Sequence, residues 1–102
     1  MEIFRDRGIS IAHCPFSNLN VGSGVLDVRK MLNFGINVCL GTDTGAGTVF
    51  SMLDVMRVAQ LASSALSQNL SMALPPDYTP LTTADVFYMA TMGGARGINL
   101  LY

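Results

Sequence analysis

The chain has 102 residues, which is enough for one small domain or for a piece of a larger one. Half of its residues are hydrophobic and 13% are charged. Since about 25% charged residues is usual for a soluble domain, we expect its elements to be covered on most sides, as in a layered α/β protein. The formal net charge is −1 and there is no basic run, which argues against nucleic acid and anionic membrane surfaces as partners.

No segment of the sequence predicts export or membrane insertion. The apolar runs fall well short of the roughly 20 residues that a membrane-spanning helix needs. The first residues, MEIFRDR, do not resemble a signal peptide. Cys14 and Cys39 lie in apolar, strand-like contexts. A disulfide between them is conceivable, but reduced thiols in a cytoplasmic protein are the better interpretation.

The first half of the chain predicts a strand, a helix and a second strand. The predicted segments are the end of a helix at 1–7, a strand at 9–13, a loop at 17–24, a helix at 25–34 and a strand at 37–41. Gly8 and Gly35 supply the helix stops, and Pro15 ends the first strand. The alternation of the first strand places His13 on the same face as two isoleucines. This order, over roughly thirty residues, is typical of one parallel βαβ unit.

The second half predicts two helices joined by a stiff connector. The predicted segments are a helix at 52–68, a proline-rich connector at 75–80 and a helix at 83–92 that ends at Gly93-Gly94. Ser51 is the predicted N-cap of the first helix, strengthened by Asp54, and Thr82 is the predicted cap of the second. The apolar stripe of the first helix consists of Met52, Val55, Met56, Ala59, Ala62 and Leu66.

Asp43 stands where the second predicted strand gives way to a glycine-rich loop. The carboxyl ends of strands are where α/β enzymes usually place their chemistry, so Asp43 is the best candidate for a catalytic or metal-binding residue. An acid before such a loop is also a common turn-former or helix cap, and spacing alone leaves both interpretations open. The alternation places Val38, Leu40 and Thr42 on one face of the strand, and Cys39, Gly41 and Asp43 on the other.

His13 ends the first predicted strand, thirty residues before Asp43 and at the equivalent edge of the sheet. A lone histidine at a strand end is more often a hydrogen-bonded structural residue than a ligand. Cys14 follows it without a recognisable base nearby, which favours a buried thiol over a nucleophile. One aspartate and one histidine do not complete a zinc site, because catalytic zinc usually keeps three protein ligands and a water. Any metal would take its other ligands from outside this chain.

Four segments of the chain resemble the amidohydrolase superfamily, in its zinc-dependent deaminase branch. The segments IAHCPFSN at 11–18 and VCLGTD at 38–43 carry the general likeness. The segments GTDTGAGTVFSML at 41–53 and FYMATMGGARGINL at 87–100 narrow it to the guanine deaminases of that branch. The likeness extends over nearly the whole chain.

This resemblance implies both a fold and a reaction. The fold is a (β/α)8 TIM-like metal-dependent hydrolase barrel, of which residues 1–102 are the C-terminal part, namely the last two βα units with strands seven and eight. The N-terminal barrel strands and the C-terminal β domain are absent. The reaction is the hydrolysis of guanine to xanthine and ammonia, a step of purine catabolism, by a water molecule that a zinc ion activates.

The same resemblance assigns roles to two residues. Asp43 matches the zinc ligand that ends strand eight, and it would also help to move protons in the reaction. His13 belongs to the His-Cys-Pro motif of strand seven, which does not bind zinc, and at most lines the substrate pocket. The other ligands of the Zn²⁺ ion, a His-x-His pair and two further histidines, have no counterpart in this chain, whose only histidine is His13. The family's glutamate proton shuttle is missing as well.

Expectations about partners follow from the same resemblance. The small-molecule partner is guanine, and the complete protein is expected to be a cytoplasmic homodimer without nucleic-acid or membrane partners. The chain by itself is expected to be an inactive fragment. One alternative is another amidohydrolase, a different deaminase or a chlorohydrolase, because most purine-contacting residues lie elsewhere. The other alternative is a non-catalytic fragment that only packs against partner subunits.

Overall fold

Two parallel strands lie at the centre of the fold, and helices flank them. A computed structural model describes residues 1–69 and 73–100. Its elements are α1 Glu2–Asp6, β1 Ser10–His13, α2 Pro15–Asn20, α3 Val28–Asn33, β2 Asn37–Leu40, α4 Met52–Ser67, α5 Thr83–Ala90 and α6 Met92–Gly97. Strand β1 pairs with β2 in parallel, with Ser10 opposite Asn37 and His13 opposite Leu40. The predicted α/β class and the strand–helix–strand order are confirmed.

The core lies on one face of the strand pair. Val38 and Leu40 of β2 are buried, while the intervening Cys39 is half-buried and faces the other way, as the predicted alternation requires. Each fully buried aliphatic side chain of this kind stabilises the fold by about 1.5–3 kcal/mol. The predicted apolar stripe of α4 is confirmed. Four of its residues are buried, namely Val55, Ala59, Ala62 and Leu66, and the partly buried Met52 and Met56 pack against the core. The core cluster consists of Val28, Val38, Leu40, Val55, Ala59, Leu81, Val86 and Met89.

Polar anchors fasten the connector that precedes α5. The Arg29 guanidinium donates to the carbonyl oxygens of Thr79 and Pro80 and, at 2.7 Å, to the Asp85 carboxylate. On the other side, the buried hydroxyl of Ser63 accepts the Leu81 backbone N–H at 3.0 Å. These bonds fix the entry of the chain into α5, and a capping box at that point confirms the predicted cap at Thr82.

Two sequence-based boundaries in the first half are wrong. The polar segment predicted as a loop from residue 17 begins instead with the short helix α2, because Pro15 at the first helical position already has the backbone angle that a helix requires. Helix α3 begins at Val28 rather than at Val25. The cause is Asp27, whose side chain accepts the Lys30 backbone N–H and so defines the helix start.

One prediction about helix ends in the second half is wrong, and another is confirmed only in position. Ser51 is the N-cap residue of α4, as predicted, but its side chain makes no capping hydrogen bond, and Asp54 pairs with Arg57 at 3.0 Å instead of strengthening the cap. The helix that starts after Thr82 does not end at Gly93-Gly94. It breaks earlier, at Thr91, and both glycines lie inside α6. A Cβ atom on Gly93 would lie 2.7 Å from the Val38 carbonyl oxygen, so this glycine permits the close packing of α6 on β2.

The described helices are short. Within residues 1–69 and 73–100, none combines the length and the apolar character required to cross a bilayer.

Candidate functional site

The residues after β2 form a tight turn, residues 42–47, which we call the Asp43 turn. Asp43 has a positive φ of 48°, and its carbonyl oxygen accepts the backbone N–H groups of Ala46 at 3.1 Å and Gly47 at 2.7 Å. A Cβ atom on Gly47 would overlap the carbonyl oxygen of Thr42, so only glycine fits there. The hydroxyl groups of Thr42 and Thr44 lie 3.0 Å apart and link two positions of the turn. The backbone of the candidate residue is therefore closely determined.

The Asp43 side chain is exposed beyond the carboxyl end of β2. Among residues 1–69 and 73–100 it forms no ion pair and no side-chain hydrogen bond, whereas Asp6, Asp54 and Asp85 each pair with an arginine. A positive φ is uncommon for residues other than glycine, but aspartate and asparagine tolerate it best. The turn thus presents a carboxylate to solvent at a fixed point and gives it no cation to neutralise it.

Both cysteines are free thiols, as predicted, and Cys14 lies close enough to Asp43 for the charge of the carboxylate to affect its pKa. The Cys14 sulfur atom lies 3.0 Å from the point that a Cβ of Gly41 would occupy. Burial raises the pKa of Cys14, and the negative charge of Asp43 and the neighbouring Cys39 raise it further. Cys14 therefore stays protonated near neutral pH, which argues against a nucleophile, but the thiol is half-buried rather than buried as predicted.

His13 lies on the helix-covered side of the sheet. It pairs with Leu40 and is 3% exposed, whereas its neighbour Ala12, on the opposite face, is exposed. Its buried Nδ1 atom has no hydrogen-bond partner among the described residues. This burial favours a structural role and gives no support to the contact with substrate that the resemblance left open. The sequence predicted that His13 and Asp43 lie at the same edge of the sheet. In the register His13 pairs with Leu40, and Asp43 follows Leu40 by three residues.

The burial of His13 predicts a specific pH dependence of stability. Burial lowers its pKa from 6.5 to about 4, since the protonated ring loses its hydration. Between these two pH values the unfolded chain binds a proton that the folded chain does not. The free energy of unfolding should therefore have its full value above pH 6.5 and fall by about 3 kcal/mol as the pH drops to 4.

Urea unfolding of the wild type and of His13→Phe, measured at steps between pH 7.5 and 4, tests this expectation. Phenylalanine fills a similar volume and does not titrate, so the carboxylates that both proteins share cancel in the comparison. We expect a flatter pH dependence for the variant. Two parallel curves would show that His13 is not the titrating group.

Within the described residues, no cluster of metal-ligating side chains accompanies Asp43. No three histidine, cysteine, aspartate or glutamate side chains come together in the part of the chain that the structure describes. Asp43 nevertheless fits one position of a zinc site, because it is an anionic oxygen donor at an open edge and makes no ion pair with the described residues. The structure brings Cys14 and Asp43 together and separates His13 from them by placing it in the helix-covered layer.

A cavity of about 550 Å³ lies away from this edge, between α3 and the connector, where Lys30, Phe34 and Tyr78 help to line it. Asp43 does not line it. The carboxyl edge of two strands forms only one wall of a pocket, so an enclosed cavity beside Asp43 would need further strands. Volume alone therefore does not identify the functional site here.

One contact to the Asp43 turn was not predicted. The Nδ2 atom of Asn20, the last residue of α2, donates to the Ala46 carbonyl oxygen at 3.0 Å. The two residues are 26 positions apart, and no local pattern in the sequence signals the bond.

A helix-flanked parallel strand pair with a free carboxylate beyond the carboxyl end of one strand is typical of α/β enzymes. The model of the Amidohydrolase family matches residues 1–101, and the chain belongs to this family. The predicted resemblance to this family is confirmed.

Relatives within the family have names that specify an enzyme activity. Guanine deaminase of Mus musculus is 41% identical over 100 residues, which cover 98% of this chain and 21% of the mouse protein. The 5-methylthioadenosine/S-adenosylhomocysteine deaminase 2 of Archaeoglobus fulgidus is 42% identical over 101 residues, covering 98% of this chain and 22% of that protein. Both relatives are named as deaminases, of different purine compounds.

A solved structure supports the same grouping. The crystal structure of guanine deaminase from C. acetobutylicum, with guanine bound in its active site, matches this chain with a TM-score of 0.83 and 39% identity. The match covers 94% of this chain and 22% of that one. The chain thus spans about a fifth of the length of these relatives.

Proposed function

We propose that this chain forms strands seven and eight of a (β/α)8 barrel that hydrolyses guanine to xanthine and ammonia. The observation that carries the proposal is the Asp43 carboxylate, which is exposed at the carboxyl end of β2 and unpaired within the described residues. The active sites of such barrels lie at the carboxyl ends of the strands. The likeness to guanine deaminases over nearly the whole chain supports the choice of substrate.

In this proposal Asp43 supplies one ligand of a zinc ion, and the other ligands come from strands outside this chain. When bound, zinc acts as a Lewis acid that makes water a better nucleophile near neutral pH. Hydrolysis consumes one water, replaces the exocyclic amino group of guanine with oxygen and releases ammonia. Asp43 holds a proton on a carboxylate oxygen during this exchange, and the Asp43 turn keeps that oxygen at a fixed point.

The remaining expectations belong to the same proposal. The complete protein is a cytoplasmic homodimer that acts in purine catabolism, with guanine as its small-molecule partner and without nucleic-acid or membrane partners. The free thiols of Cys14 and Cys39 and the net charge of −1 are consistent with this assignment. His13 supports the strand layer from its buried position, and any contact with substrate through it stays a prediction.

A second candidate is the deamination of an adenosine-type purine. The observation that favours it is the identity of 42% to the deaminase of Archaeoglobus fulgidus, which equals that to guanine deaminases within a few per cent. Both candidates use the same carboxylate and the same hydrolytic step. They differ in the groups that would contact the purine.

Ammonia release from two substrates separates these candidates. We expect the zinc-loaded complete barrel to hydrolyse guanine with a kcat/KM at least about 100-fold above that for 5-methylthioadenosine, since a site built to hydrogen-bond one purine edge rejects another. The opposite preference would establish the second candidate. The 102-residue chain alone should retain no stoichiometric zinc and release no ammonia. Turnover by the pure chain would contradict our assignment of ligands.

A further inference from the structure

The end of α2 is joined to the Asp43 turn by a single side chain. Asn20 donates from its amide Nδ2 to the Ala46 carbonyl oxygen at 3.0 Å. Ala46 is also the residue whose backbone N–H donates to the Asp43 carbonyl oxygen, at 3.1 Å. The Ala46 carbonyl that accepts from Asn20 belongs to the same peptide unit as the Gly47 N–H, which donates to the Asp43 carbonyl oxygen at 2.7 Å.

Helix α2 provides a firm base for this contact. Its first residue, Pro15, is fully buried, and Ser17 is buried as well, so the helix is held by packing at the end that begins next to β1. Asn20 projects from the other end of the same helix. A bond from an anchored helix to an exposed turn limits the backbone motion of the turn.

The turn has reason to need such support. Asp43 holds a left-handed backbone conformation that residues with a side chain rarely adopt, and the turn contains two glycines, Gly45 and Gly47. The two hydrogen bonds to the Asp43 carbonyl oxygen lie within the turn and do not connect it to another element. The Asn20 bond links the turn to a different element. It does so through a neutral donor, which leaves the charge of the carboxylate unaltered.

We propose that Asn20 is a positioning residue, which holds the Asp43 turn so that the carboxylate stands in the geometry required for metal binding and proton transfer. The proposal rests on the function proposed above and adds a residue to it. Asn20 touches neither substrate nor metal in this scheme. It acts through the backbone of the turn, and its effect should disappear when the carboxylate is removed.

The test compares Asn20→Ala with Asn33→Ala in the complete, zinc-loaded barrel. Asn33 is a matched control, because it too is an exposed asparagine at the last position of a six-residue helix, and it makes no hydrogen bond to the turn within the described residues. For Asn20→Ala we expect kcat to fall roughly three- to tenfold, as the loss of one net hydrogen bond allows, with KM and the thermal midpoint unchanged. For Asn33→Ala we expect no change. Asn20→Gln, which keeps an amide donor, should recover part of the loss.

Two further readouts do not depend on the substrate. Zinc affinity, measured by competition with a chromophoric chelator, should fall in Asn20→Ala but not fall further when Asn20→Ala is added to Asp43→Asn. Amide hydrogen exchange at Gly47, whose N–H bonds to Asp43, should become several-fold faster in Asn20→Ala and stay unchanged in Asn33→Ala.

The outcomes separate the two proposals. If guanine is not the substrate, zinc affinity and hydrogen exchange still report on Asn20. If Asp43→Asn abolishes turnover while Asn20→Ala changes neither kcat nor zinc affinity, the positioning role is wrong and the proposed function stands. Equal, additive losses in the Asp43→Asn background would also overturn it, since they would show that Asn20 acts independently of the carboxylate.

Discussion

Replacing Asp43 with asparagine in the complete barrel is expected to lower guanine turnover by about 10²- to 10⁴-fold, because a group that moves protons and binds the metal is lost. The thermal midpoint should change little. The carboxylate makes no structural bond within the described residues, and asparagine tolerates the positive φ of 48° at this position. The measurement is ammonia release from guanine, with zinc content determined on the same samples.

Asp77→Asn serves as the control for this experiment. Asp77 is also an exposed aspartate in a turn, but it lies in the connector beside the cavity that Asp43 does not line. We expect normal turnover and normal zinc content for this variant. Normal turnover in Asp43→Asn would remove Asp43 from the mechanism. An equal loss in both variants would attribute the effect to charge in general rather than to position.

The second large effect is expected at Gly93. An alanine there would bring its Cβ to 2.7 Å from the Val38 carbonyl oxygen and 3.3 Å from that of Tyr88. Both are backbone atoms, so neither can rotate away as a side chain could. Helix α6 would have to shift, and the bond from the Asn37 amide to the Gly93 carbonyl oxygen at 2.9 Å would lengthen. We expect Gly93→Ala to lower the free energy of unfolding by about 1–3 kcal/mol, measured by urea unfolding.

The neighbouring glycine gives a control of opposite sign. A Cβ atom on Gly94 would meet nothing within 4 Å, and Gly94 lies in the same helix with an ordinary negative φ. Gly94→Ala should therefore raise the free energy of unfolding by up to about 1 kcal/mol, because alanine is the better helix former. If both substitutions had the same sign, packing against β2 would not be the reason for the glycine at 93.

Features that depend on near neighbours were predictable from the sequence. The periodicity of α4 and the alternation around Val38 arise from repeats of the backbone itself, and they predicted which faces are buried. The capping box at Thr82 and Asp85 spans three residues, so its pattern is visible in the sequence. The position of Asp43 after a strand could be predicted for the same reason.

Features that depend on distant partners were not predictable. Gly93-Gly94 has the composition of a helix stop, yet Gly93 is required by the approach of a carbonyl oxygen 55 residues earlier in the chain, at Val38. At Gly93 a local preference for a helix stop competes with a contact that only the folded chain provides.

The α/β class, the family likeness and the candidate carboxylate could be predicted from the sequence, because hydrophobic period, turn chemistry and motif order are local properties. Three features became visible only in the folded chain: His13 is buried under helices, the Asp43 carboxylate is unpaired within the described residues, and Asn20 reaches the Asp43 turn. The ion pairing of a carboxylate, the burial of a side chain and a hydrogen bond between two segments all depend on which residues meet in space. Hydrogen bonds and packing between segments 26 or more positions apart set those meetings, and no pattern along the chain encodes them.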